Sequence, residues 1–329
     1  MREAPFRHLP GTASTPAEGM FTTAGDGITL RLALWRPAPA RRARASGGGT
    51  VLLFPGRTEY CEKYAPVAAR LTAAGHAVLA IDWRGQGDSD RLIPDPRPGH
   101  VGSFDDYQED VAALVEAATA LGLPQPWHLL AHSMGGCIGL RALMRGLPVA
   151  SAAFSAPMWG IRFGRLPPGM GDRVAIRVSE AAALSGRATH PVPAASNVLD
   201  VAFNQNHLTS DIDEYTRLMR EAAAWPELAL GPASYGWVRA AVAECRALAA
   251  LPSPRLPALI GLAGRDRVVL PVLIRTRAAT WAGARLLELP ESRHEAMFER
   301  PAIRETFFGA VLDLFAAPAP APAPAPQEG

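Results

Sequence analysis

Two nearly continuous apolar runs, TVLLFP at 50–55 and HAVLAID at 76–82, stand either side of a helical stretch at 60–75. A strand without polar alternation must be covered on both faces, and two such strands joined through a helix are the repeating unit of a mostly parallel sheet. The unit recurs along the chain. A helix over 105–122 precedes WHLLA at 127–131, and a helix over 134–146 precedes VASAAFSAP at 149–157. PALIGLAG at 257–264, a helix at 268–282, ARLLELP at 284–290 and a last helix at 301–315 continue it. The pattern predicts an α/β fold with helices on both faces of a mostly parallel sheet. With 48% hydrophobic residues in 329, the chain has enough apolar material to cover both.

Outside this alternation the signals change. Alternating residues at 21–35 around Gly25-Asp26-Gly27 predict a β-hairpin. The first 18 residues carry Pro5, Pro10, Gly11 and Pro16 without periodicity and are expected to be an arm; RPAPARRARASGGG at 36–49 is expected to be a mobile basic loop. Between 158 and 250 there are helical pieces but no buried strand, which predicts a helical cap inserted beside the carboxyl ends of the strands. The expected division is a core at 19–157, the cap at 158–250, the rest of the core at 251–315, and a disordered, extended Ala/Pro tail at 316–329.

Charge and cysteine usage narrow the functional class. Thirty-three basic against 31 acidic residues give a formal +2, far from the concentrated positive field of a nucleic-acid binder, so no nucleic-acid partner is expected. Arginine supplies almost all of that basic charge, for Lys63 is the one lysine. Cys61, Cys137 and Cys245 are odd in number and widely spaced, which suits a reducing compartment rather than a disulfide framework. No window reaches the roughly 18 apolar residues of a spanning helix, and the first 15 residues hold no signal-peptide core. A soluble cytoplasmic protein is expected, its only membrane role a transient surface contact.

The strongest chemical signal is WHLLAHSMGG at 127–136, an apolar strand running directly into a helix through His132-Ser133-Met134-Gly135-Gly136. Such a nucleophile elbow lifts a serine above the sheet, with small residues where strand and helix crowd. A serine nucleophile needs a base, and the base an orienting acid. Asp266 follows the strand PALIGLAG and His294 follows ARLLELP, both at the sheet edge expected for Ser133, in the chain order Ser, Asp, His. Of the other histidines, His132 adjoins the serine in a tight turn, His128 lies within a strand and His207 lies in the insertion. Oxyanion donors are expected from the backbone N–H of Met134 and, through the Pro55-Gly56-Arg57 loop, from Arg57 with Thr58 next. The loop DWRGQGDSD lacks either phosphate-binding glycine pattern, so Asp82, Arg84 and Asp88 are expected to brace the site.

Taken together, FPGRTEYCEKY, DWRGQGDSD, AHSMGG, GRDRVV and SRHEAMFE resemble the α/β-hydrolase superfamily. Within it they resemble the monoacylglycerol lipase and bacterial lysophospholipase family, with its serine aminopeptidase-like domain. The likeness spans about 20–315, and 203–241 resembles the cap of the bacterial lysophospholipase-like branch. It implies the α/β-hydrolase fold and hydrolysis of a small-molecule acyl ester, the carboxylic ester of a monoacylglycerol or lysophospholipid, through an acyl-enzyme on Ser133, served by Asp266 and His294. It also implies oxyanion donors at Arg57 and Met134, and no metal or organic cofactor. Two positions depart from the family pattern: Ala131 replaces a glycine, and Phe54-Pro55 replaces a histidine opening the oxyanion loop. Both departures leave the backbone donors in place. Met158, Trp159, Ile161, Phe163, Trp225, Tyr235 and Trp237 are the side chains expected to cover an acyl chain. The same machinery acting on a small peptide or aminoacyl amide is the alternative chemistry, and a non-catalytic binding module the alternative class.

Overall fold

The computed structural model describes residues 1–9, 15, 17–39, 48–164, 166–167, 169–193 and 201–317. Among them nine strands form one sheet: β1 (Arg2–Glu3), β2 (Glu18–Thr23), β3 (Thr29–Trp35), β4 (Thr50–Phe54), β5 (Ala77–Asp82), β6 (Trp127–His132), β7 (Ser151–Ser155), β8 (Ala258–Ala263) and β9 (Ala284–Leu289). Their order is β1-β2-β3-β5-β4-β6-β7-β8-β9. The strands from β1 to β5 pair antiparallel in that order, and every pair from β5–β4 to β8–β9 is parallel. The chain moves from β4 to β5 on one side and then returns to place β6 on the other. Ligands of open α/β sheets bind at such a reversal, outside the carboxyl ends of the strands.

Among the described residues eight α-helices accompany the sheet: α1 (Ala65–Ala73), α2 (Asp106–Ala120), α3 (Ser133–Met144), α4 (Met170–Leu184), α5 (Ile212–Ala224), α6 (Tyr235–Ala249), α7 (Pro271–Ala279) and α8 (Pro301–Ala316). The central strands are apolar throughout because consecutive residues serve opposite cores. Leu52, Leu79, Leu129 and Ile260 pack in one core with Leu114 of α2, Ile138 of α3 and Ile274 of α7. Their neighbours Val51, Val78, Leu130 and Leu259 pack in the other, with Val67 and Leu71 of α1 and Phe307, Val311 and Phe315 of α8. The i, i+4 spacing of Val67 and Leu71, and of Phe307, Val311 and Phe315, gives α1 and α8 each one apolar stripe to lay on the sheet.

Two expectations meet a different structure. The first residues are not a free arm: Arg2 and Glu3 pair with Phe21 and Met20, and the Ala4 N–H donates to Gly19 O at 3.0 Å, extending the hairpin by a strand. The stretch at 158–250 is not a single inserted layer. Trp237, Val238, Ala241, Val242, Cys245 and Leu248 of α6 are buried in the main core, and Arg141 of α3 forms a two-bond ion pair with Glu244 at 2.7 and 2.9 Å. α6 is thus a helix of the body, and α4 packs on it. The basic loop at 36–49 falls largely, and the Ala/Pro tail almost wholly, outside the described residues.

The loop after β5 is held by buried charge. Arg31 of β3 donates from Nε to Asp82 at 2.7 Å, from Nη1 and Nη2 to Glu62 at 2.7 and 2.6 Å, and from Nη1 to Asp88 at 3.0 Å. Arg84 similarly joins Asp110 at 2.7 Å and Asp26 at 2.6 Å. Removing one member of a buried ion cluster strands the others without water or partner. Arg31→Met is therefore expected to lower unfolding stability by about 3–5 kcal/mol, read as a lower urea midpoint with the slope unchanged. A loss within about 0.5 kcal/mol would mean that Glu62 and Asp82 find other donors.

Candidate active site

β6 passes into α3 with no residue between them, and Ser133 sits at the junction with φ = 49°. That left-handed backbone costs a non-glycine residue about 1 kcal/mol or more, so the surroundings must impose it. They do so by close packing. A Cβ on Gly135 would lie 2.2 Å from Phe54 O, and one on Gly136 would lie 2.6 Å from the Pro157 Cβ. Two successive glycines let the start of α3 press against the end of β4 and the chain beyond β7. Ala131 is fully buried on β6, so a methyl group is tolerated where the family pattern has none.

Ser133, Asp266 and His294 come together although they lie on three separate strand ends. His294 Nε2 is 2.9 Å from Ser133 Oγ, and its Nδ1 is 2.7 Å from Asp266 Oδ2. The other Asp266 oxygen, Oδ1, accepts the Val268 and Val269 N–H groups at 2.7 and 3.0 Å, which fixes the carboxylate plane. All three residues are buried. Burial opposes ionisation of Asp266, but the His294 ring and the two N–H groups outweigh it and hold the carboxyl below its ordinary range. Burial likewise opposes the imidazolium of His294, yet Asp266, and after it Glu295 and Glu59, raise its pKa above the ordinary value. An ionised acid beside a base with raised affinity for a proton is the arrangement that serine attack requires.

The loop after β4 leaves one backbone N–H without an acceptor among the described residues. The Gly56 N–H donates to a Glu59 carboxylate oxygen, and the Thr58 N–H donates to Gln86 Oε1 at 3.0 Å. The intervening Arg57 N–H has no acceptor among the described residues. Gln86 Nε2 also donates to Gly56 O at 3.1 Å, and Trp83 Nε1 to Pro55 O at 2.9 Å, so the loop is tied on both sides of Arg57. Thr58, the second sequence candidate, has its N–H already engaged. Met134 is the second residue of α3, where an N–H has no carbonyl one turn back within the helix. Arg84 and Asp88 bond within the ion clusters around Arg31 and Arg84, whereas Asp82 also braces the segment after β4 by accepting the Cys61 N–H at 2.8 Å; Gln86, in the same motif but not singled out from the sequence, ties Gly56 and Thr58 directly.

Other groups expected or plausible here are placed elsewhere. His132 Nδ1 lies 2.9 Å from Ser155 O and its ring centroid 4.8 Å from that of His294, so it packs beside the base. Ser151 and His128 form a second Ser–His contact at 2.8 Å, but burial, and then His76, push His128 down to about 4, and it lacks an orienting carboxylate. From the insertion, His207 contributes its carbonyl, which accepts the His294 N–H at 3.2 Å, and Leu208 O accepts from Glu295 N at 2.9 Å. Arg293 adds bonds to Asn206 O and Thr209 O at 3.1 and 2.8 Å, so the segment 206–209 fastens the histidine loop. Met158, Trp159 and Trp237 belong to the body core, and Trp225 packs edge-on against Tyr60.

Glu59, His132 and Glu295 have donor atoms within 4.8 Å of one another, a spacing compatible with a metal ion. The Lys63 ammonium takes a cation's place among them, 2.7 Å from Glu59 and 2.6 Å from Glu295. A cavity of about 430 Å³ lined by Arg7, Glu62, Arg70, Arg217, Glu221 and Trp225 includes none of the three site residues, and its arginines are already paired with acids.

Comparison with known proteins shows the family of the chain. Residues 46–301 match the model of the serine aminopeptidase S33 family. The chain is 35% identical over 283 residues to lysophospholipase L2 of Escherichia coli (strain K12), covering 80% of this chain and 79% of that protein. A monoacylglycerol lipase of Mycolicibacterium smegmatis is 33% identical over 126 residues, 38% of this chain and 41% of that one. Among solved structures, a soluble variant of monoglyceride lipase from Saccharomyces cerevisiae in complex with a substrate analog superposes with a TM-score of 0.70 at 17% identity, covering 94% of this chain and 99% of that one. A chain of which more than three quarters matches the family model, carrying its elbow on a mostly parallel nine-stranded sheet, is an α/β-hydrolase belonging to the serine aminopeptidase S33 family.

Proposed function

We propose that this chain hydrolyses the carboxylic ester of a single-acyl lipid, a lysophospholipid or a monoacylglycerol, through an acyl-enzyme on Ser133. The observation that carries the reading is the unbroken line Asp266–His294–Ser133, with Ser133 as the first residue of α3. His294 Nε2 takes the proton of Ser133 Oγ as that oxygen attacks the acyl carbonyl. Asp266 holds Nδ1–H and stabilises the imidazolium, while the Arg57 and Met134 N–H groups receive the developing oxyanion. His294 next protonates the departing alcohol. Water then repeats the attack on the acyl-enzyme and releases the acid.

The relatives named lysophospholipase and monoacylglycerol lipase point to a lipid ester. Hydrolysis of an aminoacyl amide calls for a carboxylate free to meet the substrate ammonium, and the two beside His294, Glu59 and Glu295, are both engaged by Lys63. Contact with a lipid surface fits α4. Met170, Val174 and Val178 lie one turn apart and are 52, 47 and 49% exposed, with Arg173 and Arg177 exposed between them. No helix of the described residues is long and apolar enough to cross a membrane. The cap in this reading is 158–234, with α6 assigned to the body, and the buried free thiols of Cys61, Cys137 and Cys245 suit the cytoplasm.

The test is one ester head group carrying acyl chains of increasing length, each kept below its micelle-forming concentration. Each CH₂ buried in the transition state is worth about 0.8 kcal/mol, so kcat/KM is expected to rise roughly threefold to fourfold per CH₂ until the pocket fills. A profile that peaks at acetyl esters, or better rates on aminoacyl anilides, would overturn the lipid assignment.

A further inference from the structure

Lys63 is the one lysine among 33 basic side chains, and it is buried where the oxyanion loop meets the histidine loop. Its Nζ donates to Glu59 Oε1 at 2.7 Å and to Glu295 Oε1 at 2.6 Å, and both carboxylates are themselves buried. Glu59 in turn accepts the Gly56 N–H and the Tyr64 O–H. Gly56 precedes Arg57, the proposed oxyanion donor, and Glu295 follows His294, the proposed base. Resting on the hydrolase reading above, we propose that Glu59–Lys63–Glu295 is a buried strut that sets the separation of the oxyanion donor from the general base, with Lys63 and Glu295 as positioning residues.

The choice of lysine fits a strut. An ammonium is a compact point charge with three donors, whereas a guanidinium is a wide planar fork that would push the two loops apart. Stability alone gives little reason to keep the cluster, because apolar replacement of a buried ion cluster is often neutral or stabilising. Geometry gives a better one: acyl-transfer groups must hold their places to within about 0.5 Å. Burial works against the Lys63 ammonium, but Glu295 and Glu59 overcome it and raise its pKa. The cluster also acts on His294 by charge. Asp266, Glu295 and Glu59 face the ring with negative charge, Lys63 offsets one of them, and His132, whose pKa burial lowers, contributes none. The balance favours the imidazolium formed as Ser133 attacks.

Two substitutions at Glu295 separate these effects, because either leaves Lys63 paired with Glu59. Glu295→Ala cuts the strut: kcat is expected to fall about tenfold or more with KM changed less than about twofold, and fluorophosphonate labelling of Ser133 should slow in parallel. Glu295→Gln keeps an oxygen for the Lys63 N–H, so kcat should recover to within about threefold of wild type. Its missing charge should still move the acid limb of the kcat/KM profile to lower pH. Wild-type kcat in Glu295→Ala, or equal losses in both variants, would overturn the strut. Should Glu295→Ala not fold, the Glu59→Gln/Lys63→Met/Glu295→Met triple, which leaves no unpaired charge and keeps an oxygen for the Gly56 N–H, carries the same expected loss of kcat, and normal turnover there overturns it equally. Failure of the wild-type protein to label at Ser133 is a separate result, which removes the hydrolase reading itself.

Discussion

Ser133→Ala is expected to lower kcat about 10⁶-fold and to abolish labelling by a fluorophosphonate, while the melting temperature stays within a few degrees. The large factor follows because the other members of the triad have no oxygen to activate once Oγ is gone. The small thermal effect follows from the backbone: alanine inherits the φ of 49° and its strain, and the lost hydroxyl has one protein partner in His294. Mapping of the labelled wild-type peptide should place the adduct on Ser133. An adduct on Ser151 or Ser155 would overturn the assignment, and the structure makes both poor candidates. Ser155 is wholly buried, and Ser151 faces a histidine that burial and a second histidine hold neutral down to about pH 4.

Asp266→Asn is expected to cost about 10⁴-fold in kcat with little loss of stability. The two backbone N–H groups at Oδ1 require an acceptor, so the asparagine oxygen must take that position and its NH₂ must face His294 Nδ1. Nδ1 then becomes an acceptor, the ring proton moves to Nε2, and the nitrogen facing Ser133 Oγ can no longer receive a proton. Asp266 also raises the His294 pKa, so the acid limb of the residual kcat/KM profile should move to lower pH. The measurements are kcat against pH for a soluble ester together with a thermal melt. A folded variant retaining more than about a tenth of wild-type kcat would show that another group orients the base.

The sequence by itself determined what each element is. Apolar runs covered on both faces, stripes at helical spacing and a strand entering a helix at Ser133 are local patterns. They gave the parallel sheet, the elbow, and the placing of Asp266 and His294 at later strand ends. Local pattern does not say which elements become neighbours. Only the tertiary structure put β4 beside β6, with Phe54 level with Ala131, so that the loop after β4 and the elbow after β6 leave the sheet at adjacent strand ends. It also decided that α6, the last helical piece of the 158–250 stretch, buries its apolar stripe on the body, and that Arg2–Glu3 adds a strand to the hairpin. Lys63 is the clearest case. In the sequence it is a lone lysine in a helical stretch, and its meaning comes from Glu295, 232 residues away. Burial removes water from both groups, and a charge without water must find its partner wherever the fold brings one.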